Sequence, residues 1–428
     1  MSDLVNLAGK KLLILGGNPE TGVLVEIANT LGIYTIVIDP NSKSPAKQFA
    51  KKHYNIDGFD IPNLIKVAND EKVDGVLVGV ADILVKSYLQ LCKNLKLPCY
   101  ATTNIIEALS SKDGFMEACN SYGIQTIPSF DLDKNFSSKD LINIRYPVMV
   151  KPVDNGGGVG MSICYNQDEL IVGSKNALHN SRKKLFLTER YMECDDIVAY
   201  YTFQDSEVYL SAIADRITTK KQGISSPVCI ASIYPSKHSE QYYKKIHPSI
   251  SHMFKRLGIK NGVLAVQFFV EDNNYYAYDP GFRLQGEAMH IYINAINGFD
   301  HRKMLINFAL TGSMGIKNLR KKNNFLFRNK HCCTLWVLLK SGVITNIYGI
   351  KELDKDSSVI FIMQRFNEGD EILESMVGNE KQVLARIYIV SKTREELVSK
   401  INSIKSKLSV IDKNGNEMIV DLLNTSLL

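Results

Sequence analysis

A chain of 428 residues is too long for one compact core, so two to four domains are expected. Hydrophobic residues make up 45% and charged residues 22%, which excludes a disordered chain, and a net charge of +6 scattered along the length supplies no basic arm for nucleic acid. No apolar run approaches the ~20 residues of a bilayer span, no signal-like stretch follows Met1, and none of the eight cysteines is spaced as CxxC, so a cytoplasmic protein with reduced thiols is expected, with no membrane and no zinc knuckle.

Lys11 to Leu15 reads as a buried strand, Gly22 to Leu31 as a helix and Tyr34 to Ile38 as a second strand. A helix over Ile61 to Glu71, a strand over Gly75 to Val80 and a helix over Val85 to Leu95 follow. Strands separated by helices of this length predict a Rossmann-like parallel sheet over 1–105. The turn after the first strand, Gly16-Gly17-Asn18-Pro19-Glu20-Thr21-Gly22, does not fit G-x-G-x-x-G, and glycine there serves a tight strand-to-helix turn whatever binds. Ser111-Lys112-Asp113 opens a capped helix to about Tyr122. Strands over Ile144 to Val150, Met161 to Cys164 and Lys184 to Glu189, with a helix over Asp168 to His179, make a first lobe over 106–187. A hairpin of Val263 to Val270 and Tyr275 to Tyr278, turning at Asp272-Asn273-Asn274, belongs to a second lobe over 188–320. Strands over Thr334 to Leu339, Val359 to Gln364 and Val383 to Val390 and a helix over Thr393 to Leu408 predict a C-terminal α+β domain over 321–428.

Three stretches carry chemistry. Lys151 ends the apolar strand Tyr146-Pro147-Val148-Met149-Val150, where a lysine is costly unless it meets an anion. Asn155, Gly156, Gly157, Gly158 and Val159 follow, and successive glycines let backbone N–H groups converge on phosphate oxygens. Glu189-Arg190-Tyr191-Met192 ends the next strand and could present backbone groups to an adenine edge, with Asp196 beyond it as an acceptor for ribose hydroxyls. Hairpin pairing sets Gln267 beside Asp279 as oxygen ligands for magnesium, and Arg283 can neutralise charge on a transferring phosphoryl group.

In their order these stretches resemble the ATP-grasp superfamily, in particular its branch with carbamoyl phosphate synthetase, biotin carboxylase and phosphoribosyl-type carboxylate–amine ligases. The resemblance spans roughly residues 10–320. It implies that Lys112 and Lys151 contact ATP phosphates, that Asn155 to Gly160 form a mobile lid, that Glu189 to Met192 are the adenine hinge and Asp196 the ribose acid, and that Gln267 and Asp279 bind Mg2+ or Mn2+. The family's E-x-N-P-R reads here Asp279-Pro280-Gly281-Phe282-Arg283, so a glycine stands where a second metal ligand is expected. The histidine after Glu287 and a Met-Lys-Met biotin acceptor are both missing, which argues against biotin chemistry. Asp215-Arg216, Lys220-Lys221 and Gln222-Gly223 stand open between a substrate-anion role and a solvated loop, and His247, His252 and His290 have no assigned role.

The expectation is an ATP- and magnesium-dependent ligase that activates a small-molecule carboxylate as an acyl phosphate for attack by an amine, with a homodimer as the common assembly of such proteins. A small-molecule kinase of the same fold and a non-catalytic nucleotide-binding protein are the alternatives. Lys151→Ala is expected to weaken nucleotide use without unfolding the chain.

Overall fold

Four strands, β1 (Lys11–Leu15), β2 (Tyr34–Ile38), β3 (Lys52–Tyr54) and β4 (Gly75–Val78), form a parallel sheet in the order β3-β2-β1-β4. Helices α1 (Pro19–Thr30), α2 (Ile61–Glu71) and α3 (Val85–Leu95) connect them and lead away from β4, so β1 and β4 are buried along almost their whole length and read as unbroken apolar runs. The computed structural model describes residues 6–132, 141–142, 144–154, 159–219, 227–420 and 422–428.

The turn after β1 is closed by its own chain. A Cβ at Gly17 would lie 2.2 Å from Ser44 Oγ and 2.8 Å from Asp39 Cγ, and the Ala46 N–H donates to the Gly17 carbonyl at 2.9 Å. Glycine here serves close packing of the loop against the 39–46 segment, a reason other than the tight turn expected from the sequence.

After α4 (Thr103–Leu109) comes α5 (Lys112–Ser121), capped by Ser111, whose Oγ accepts from the Gly114 N–H at 3.1 Å. Strands β5 (Ser129–Phe130), β6 (Val148–Pro152), β7 (Ser162–Cys164) and β8 (Phe186–Arg190) build a small antiparallel sheet, ordered β5-β8-β6-β7. Its own core includes Val148, Val150, Cys164, Leu170 and Ala177, beneath the helix Gln167–His179.

The largest sheet takes β9 (Asp195–Gln204), β10 (Glu207–Thr218), β11 (Cys229–Tyr234), β12 (Gly262–Glu271), β13 (Asn274–Gly281) and β14 (His331–Leu338). Beyond these lie β15 (Gly342–Tyr348), β16 (Val359–Gln364), β17 (Glu371–Ile372), β18 (Val383–Ser391) and β19 (Ser409–Asp412). The order β13-β12-β9-β10-β11-β14-β18-β16 carries this sheet without a break across the boundary expected at residue 321, while β15 pairs with β17 and β19 to the side. One apolar cluster joins the parallel sheet to β9, β12 and the helix His301–Thr311. That helix approaches β4 so closely that a Cβ at Gly75 would lie 2.3 Å from the Ala309 carbonyl oxygen.

Candidate active site

Two lysines from different elements converge at the end of β6. Lys112 occupies the first turn of α5 and its Nζ donates to the Pro152 carbonyl at 3.0 Å. Burial, with the neighbouring Lys151 charge, pulls the Lys112 ammonium down to about 8, and Asp279 opposes that fall only in part. Lys151, next along β6, forms a buried ion pair with Glu189 of β8, the two side chains 7% and 5% exposed. Antiparallel pairing sets Lys151 opposite Leu187 and Glu189 opposite Met149, so the two charges meet on the diagonal. The Glu189 side chain is therefore turned to Lys151, and the expected hinge can offer an adenine only the backbone at this position.

Across from the lysines, Gln267 of β12 and Asp279 of β13 are direct partners in register, as the hairpin reading predicted. Burial first, then Asp82, pushes the Asp279 carboxyl up, against Lys112, Lys151 and Arg283, which pull it down. These residues thus form one charged cluster drawn from four parts of the chain. Arg283 forms an ion pair with Asp82, which lies in the turn after β4 and carries no motif that sequence inspection could find. Arg283 Nη1 also donates to the Leu284 carbonyl at 2.9 Å and to Gln285 Oε1 at 3.1 Å. Gln285 Nε2 donates to the carbonyls of Gly281 and Arg283, both at 2.6 Å. A Cβ at Gly281 would stand 3.3 Å from Gln285 Oε1 and 3.5 Å from Asp82 Oδ1. Where the family pattern has asparagine, this chain brings up the ends of two other side chains.

The remaining expected residues are placed as follows. Arg190 donates to Glu271 Oε2 at 2.6 Å and lies against Met192 Sδ, the Tyr191 N–H donates to the Pro147 carbonyl at 3.1 Å, and Met192 is buried. Asp196 accepts from Arg216 Nη1 at 2.8 Å and from the Tyr278 hydroxyl at 2.9 Å, and burial pushes its carboxyl up to about 6. Arg216 is thereby an interior residue, shared with Glu287 at 3.3 Å, rather than a surface cation. Asn155, Gly156, Gly157 and Gly158, with Lys220, Lys221, Gln222 and Gly223, lie outside the described residues, while Val159 follows the glycines directly. The three unassigned histidines pack: His247 stacks on Tyr201 and Tyr243, His252 meets Tyr122 edge-on, and His290 is buried.

The Lys112 charge gives a test of its role. Its folded value lies below lysine's ordinary 10.5, so the charged form costs stability below about 8 and the cost fades as pH rises towards 10.5. Lys112→Met is expected to raise the nucleotide-free melting temperature by ~2–4 °C at pH 7, with the gain vanishing at high pH, while nucleotide affinity falls. Calorimetric scans against pH check it; a variant that melts lower at pH 7 contradicts the cost.

A parallel sheet, a small antiparallel sheet ending in a lysine, and a large sheet presenting a Gln/Asp hairpin and an arginine give the chain an ATP-grasp fold. Its central part, residues 111–314, matches the family model for the carbamoyl-phosphate synthase L chain, ATP binding domain. The carbamoyl phosphate synthase large chain of Clostridium botulinum is 22% identical over 298 residues, 66% of this chain but 27% of that relative, so the chain spans about a quarter of its length. A formate-dependent phosphoribosylglycinamide formyltransferase of Prochlorococcus marinus is 25% identical over 277 residues, covering 62% of this chain and 68% of that protein. Among solved structures, the L-amino acid ligase of Bacillus licheniformis superposes with a TM-score of 0.76 at 16% identity, over 95% of this chain and 100% of that one. The phosphoribosylglycinamide synthetase of Anaerococcus prevotii gives 0.71 at 21% identity, over 94% and 100%. Among the described residues no helix is long and apolar enough to cross a membrane.

Proposed function

We propose that the chain is an ADP-forming ligase that phosphorylates a small-molecule carboxylate and passes the acyl group to an amine. The observation that carries this reading is the convergence of Lys112, Lys151, Asp279 and Arg283 on one charged cluster between the small sheet and the hairpin. A carboxylate resists attack because a nucleophile must add charge to an anion, and converting one of its oxygens to phosphate supplies a leaving group.

Lys151 and Lys112 would hold the phosphate oxygens of ATP, a polyphosphate competing with Glu189 for Lys151. Arg283 faces the same cluster and answers charge on the group in transfer. Magnesium takes one or two protein oxygens and fills its shell with phosphate and water. Among the described residues no group of three or more His, Cys, Asp or Glu side chains could hold a metal ion. The paired Gln267 and Asp279 suit that two-ligand mode and would hold the ion, which when bound neutralises phosphate charge. The ribose and adenine contacts are assigned to Asp196 and to the backbone of Glu189 to Met192.

Purified protein given ATP, magnesium and a panel of carboxylate–amine pairs is expected to release ADP and phosphate only when both partners are present. Formation of AMP and pyrophosphate overturns the reading, and a stable phosphorylated product formed without an amine identifies a kinase.

A further inference from the structure

The ion pair between Asp82 and Arg283 ties this site to the turn after β4, and its halves stand 201 residues apart in the chain. The Asp82 side chain is 53% exposed and that of Arg283 14%. Arg283 uses Nη1 and Nη2, but its buried Nε has no hydrogen-bond partner. The Tyr100 hydroxyl, buried near both charges and with its ring edge-on to Phe282 at 5.1 Å, also has none. Gly281 leaves open the space that Asp82 approaches. The site thus presents an open carboxylate beside a guanidinium, with two buried polar groups behind them still lacking partners.

We infer that Asp82 and Arg283 form a clamp for a zwitterion, so that the carboxylate substrate is an α-amino acid, its ammonium on Asp82 and its carboxylate towards Arg283. This rests on the ligase reading above and names its substrate class. An α-amino acid exchanges one internal ion pair for two intermolecular ones and leaves the net charge of the site unchanged. A carboxylate without the amine adds a negative group beside Asp82 and Asp279 with no new cation to answer it, which the site disfavours. Asp82 also keeps the bound α-amine protonated, hence non-nucleophilic, so that the attacking amine comes from a second molecule.

The test is calorimetric binding of the protein amino acids and their des-amino analogues, with magnesium and a non-hydrolysable ATP analogue present. At least one amino acid is expected to bind, its des-amino analogue far more weakly. Asp82→Asn should weaken the amino acid by ~10–100-fold, the worth of a charged hydrogen bond, and narrow its preference over the analogue. Nucleotide titration and melting temperature show in parallel that the variant is folded. The clamp is refuted if no amino acid binds, if analogues bind equally well, or if Asp82→Asn leaves the preference intact. ADP release with a des-amino carboxylate and an amine would refute the clamp and uphold the ligase. Amino-acid binding that needs Asp82, with no ADP from any pair, would do the reverse.

Discussion

Lys151→Ala is expected to melt the small sheet rather than leave a folded enzyme blind to ATP. Lys151 and Glu189 are 7% and 5% exposed, so truncating the lysine strands a carboxylate in the interior. Removing one partner of a buried pair costs ~3–5 kcal/mol, because the survivor keeps its desolvation penalty and loses its counter-charge. The sheet that bears the loss has a small core around Val148, Val150, Cys164 and Leu170. This revises the sequence-based expectation of weakened nucleotide use without unfolding, which saw the lysine meeting only a ligand anion. The double change Lys151→Met with Glu189→Leu removes both charges and keeps apolar bulk, so it should fold near normally and still bind nucleotide weakly. Urea denaturation of the three proteins, with nucleotide titration, separates the effects. Equal stability of Lys151→Ala and the double variant would show that Glu189 finds another partner.

Strands β1, β2 and β4 of the parallel sheet were legible because they are apolar runs divided by amphipathic helices, while the short, polar and largely exposed edge strand β3 went unassigned; α2, α3 and β16 fall at the expected residues. Strands β9 and β10 went unassigned for a local reason. They turn at Asp205 and Ser206, both at positive φ, where the usual hairpin cue would be glycine or asparagine. The buried run Ile197 to Phe203 also lacks the alternation of a half-exposed strand. In the site, Gln267, Asp279 and Lys151 were readable because each stands at a fixed place on a strand. The Lys151–Glu189 diagonal needs the β6–β8 register, which follows from neither strand alone. Asp82 needs the closure of the parallel sheet onto the hairpin, a contact between distant segments that no local pattern encodes. Gly281 was readable as a departure from the family pattern; that Gln285 and Asp82 approach the place was not.

Arg386→Ala is expected to lower stability by ~3–5 kcal/mol and to reduce turnover beyond what partial unfolding explains. Arg386 lies on β18, 2% exposed, with Nη1 donating to Glu20 Oε1 at 2.9 Å and to the Gly286 carbonyl, and its guanidinium 4.0 Å from the Trp336 ring centroid. Glu20 is in the first turn of α1 and also meets Arg365, so these side chains fasten the parallel sheet to the large one. Burial pushes the Glu20 carboxyl up, but Arg365 and Arg386 more than offset this and hold it below the ordinary 4.5. Its contribution is therefore fully present above that value and fades as pH falls through the lowered one. With Arg386 gone the loss should begin at a higher pH, visible as earlier acid unfolding. The same arginine and Tyr388, whose hydroxyl donates to the Glu287 carbonyl at 3.1 Å, hold the backbone just after Arg283. On the proposed ligase reading, loosening it should misplace the guanidinium and lower kcat, while nucleotide affinity, which that reading gives to the lysines on the other side, changes little. A variant whose ADP release tracks only its folded fraction would show that this junction is a fastening and no more.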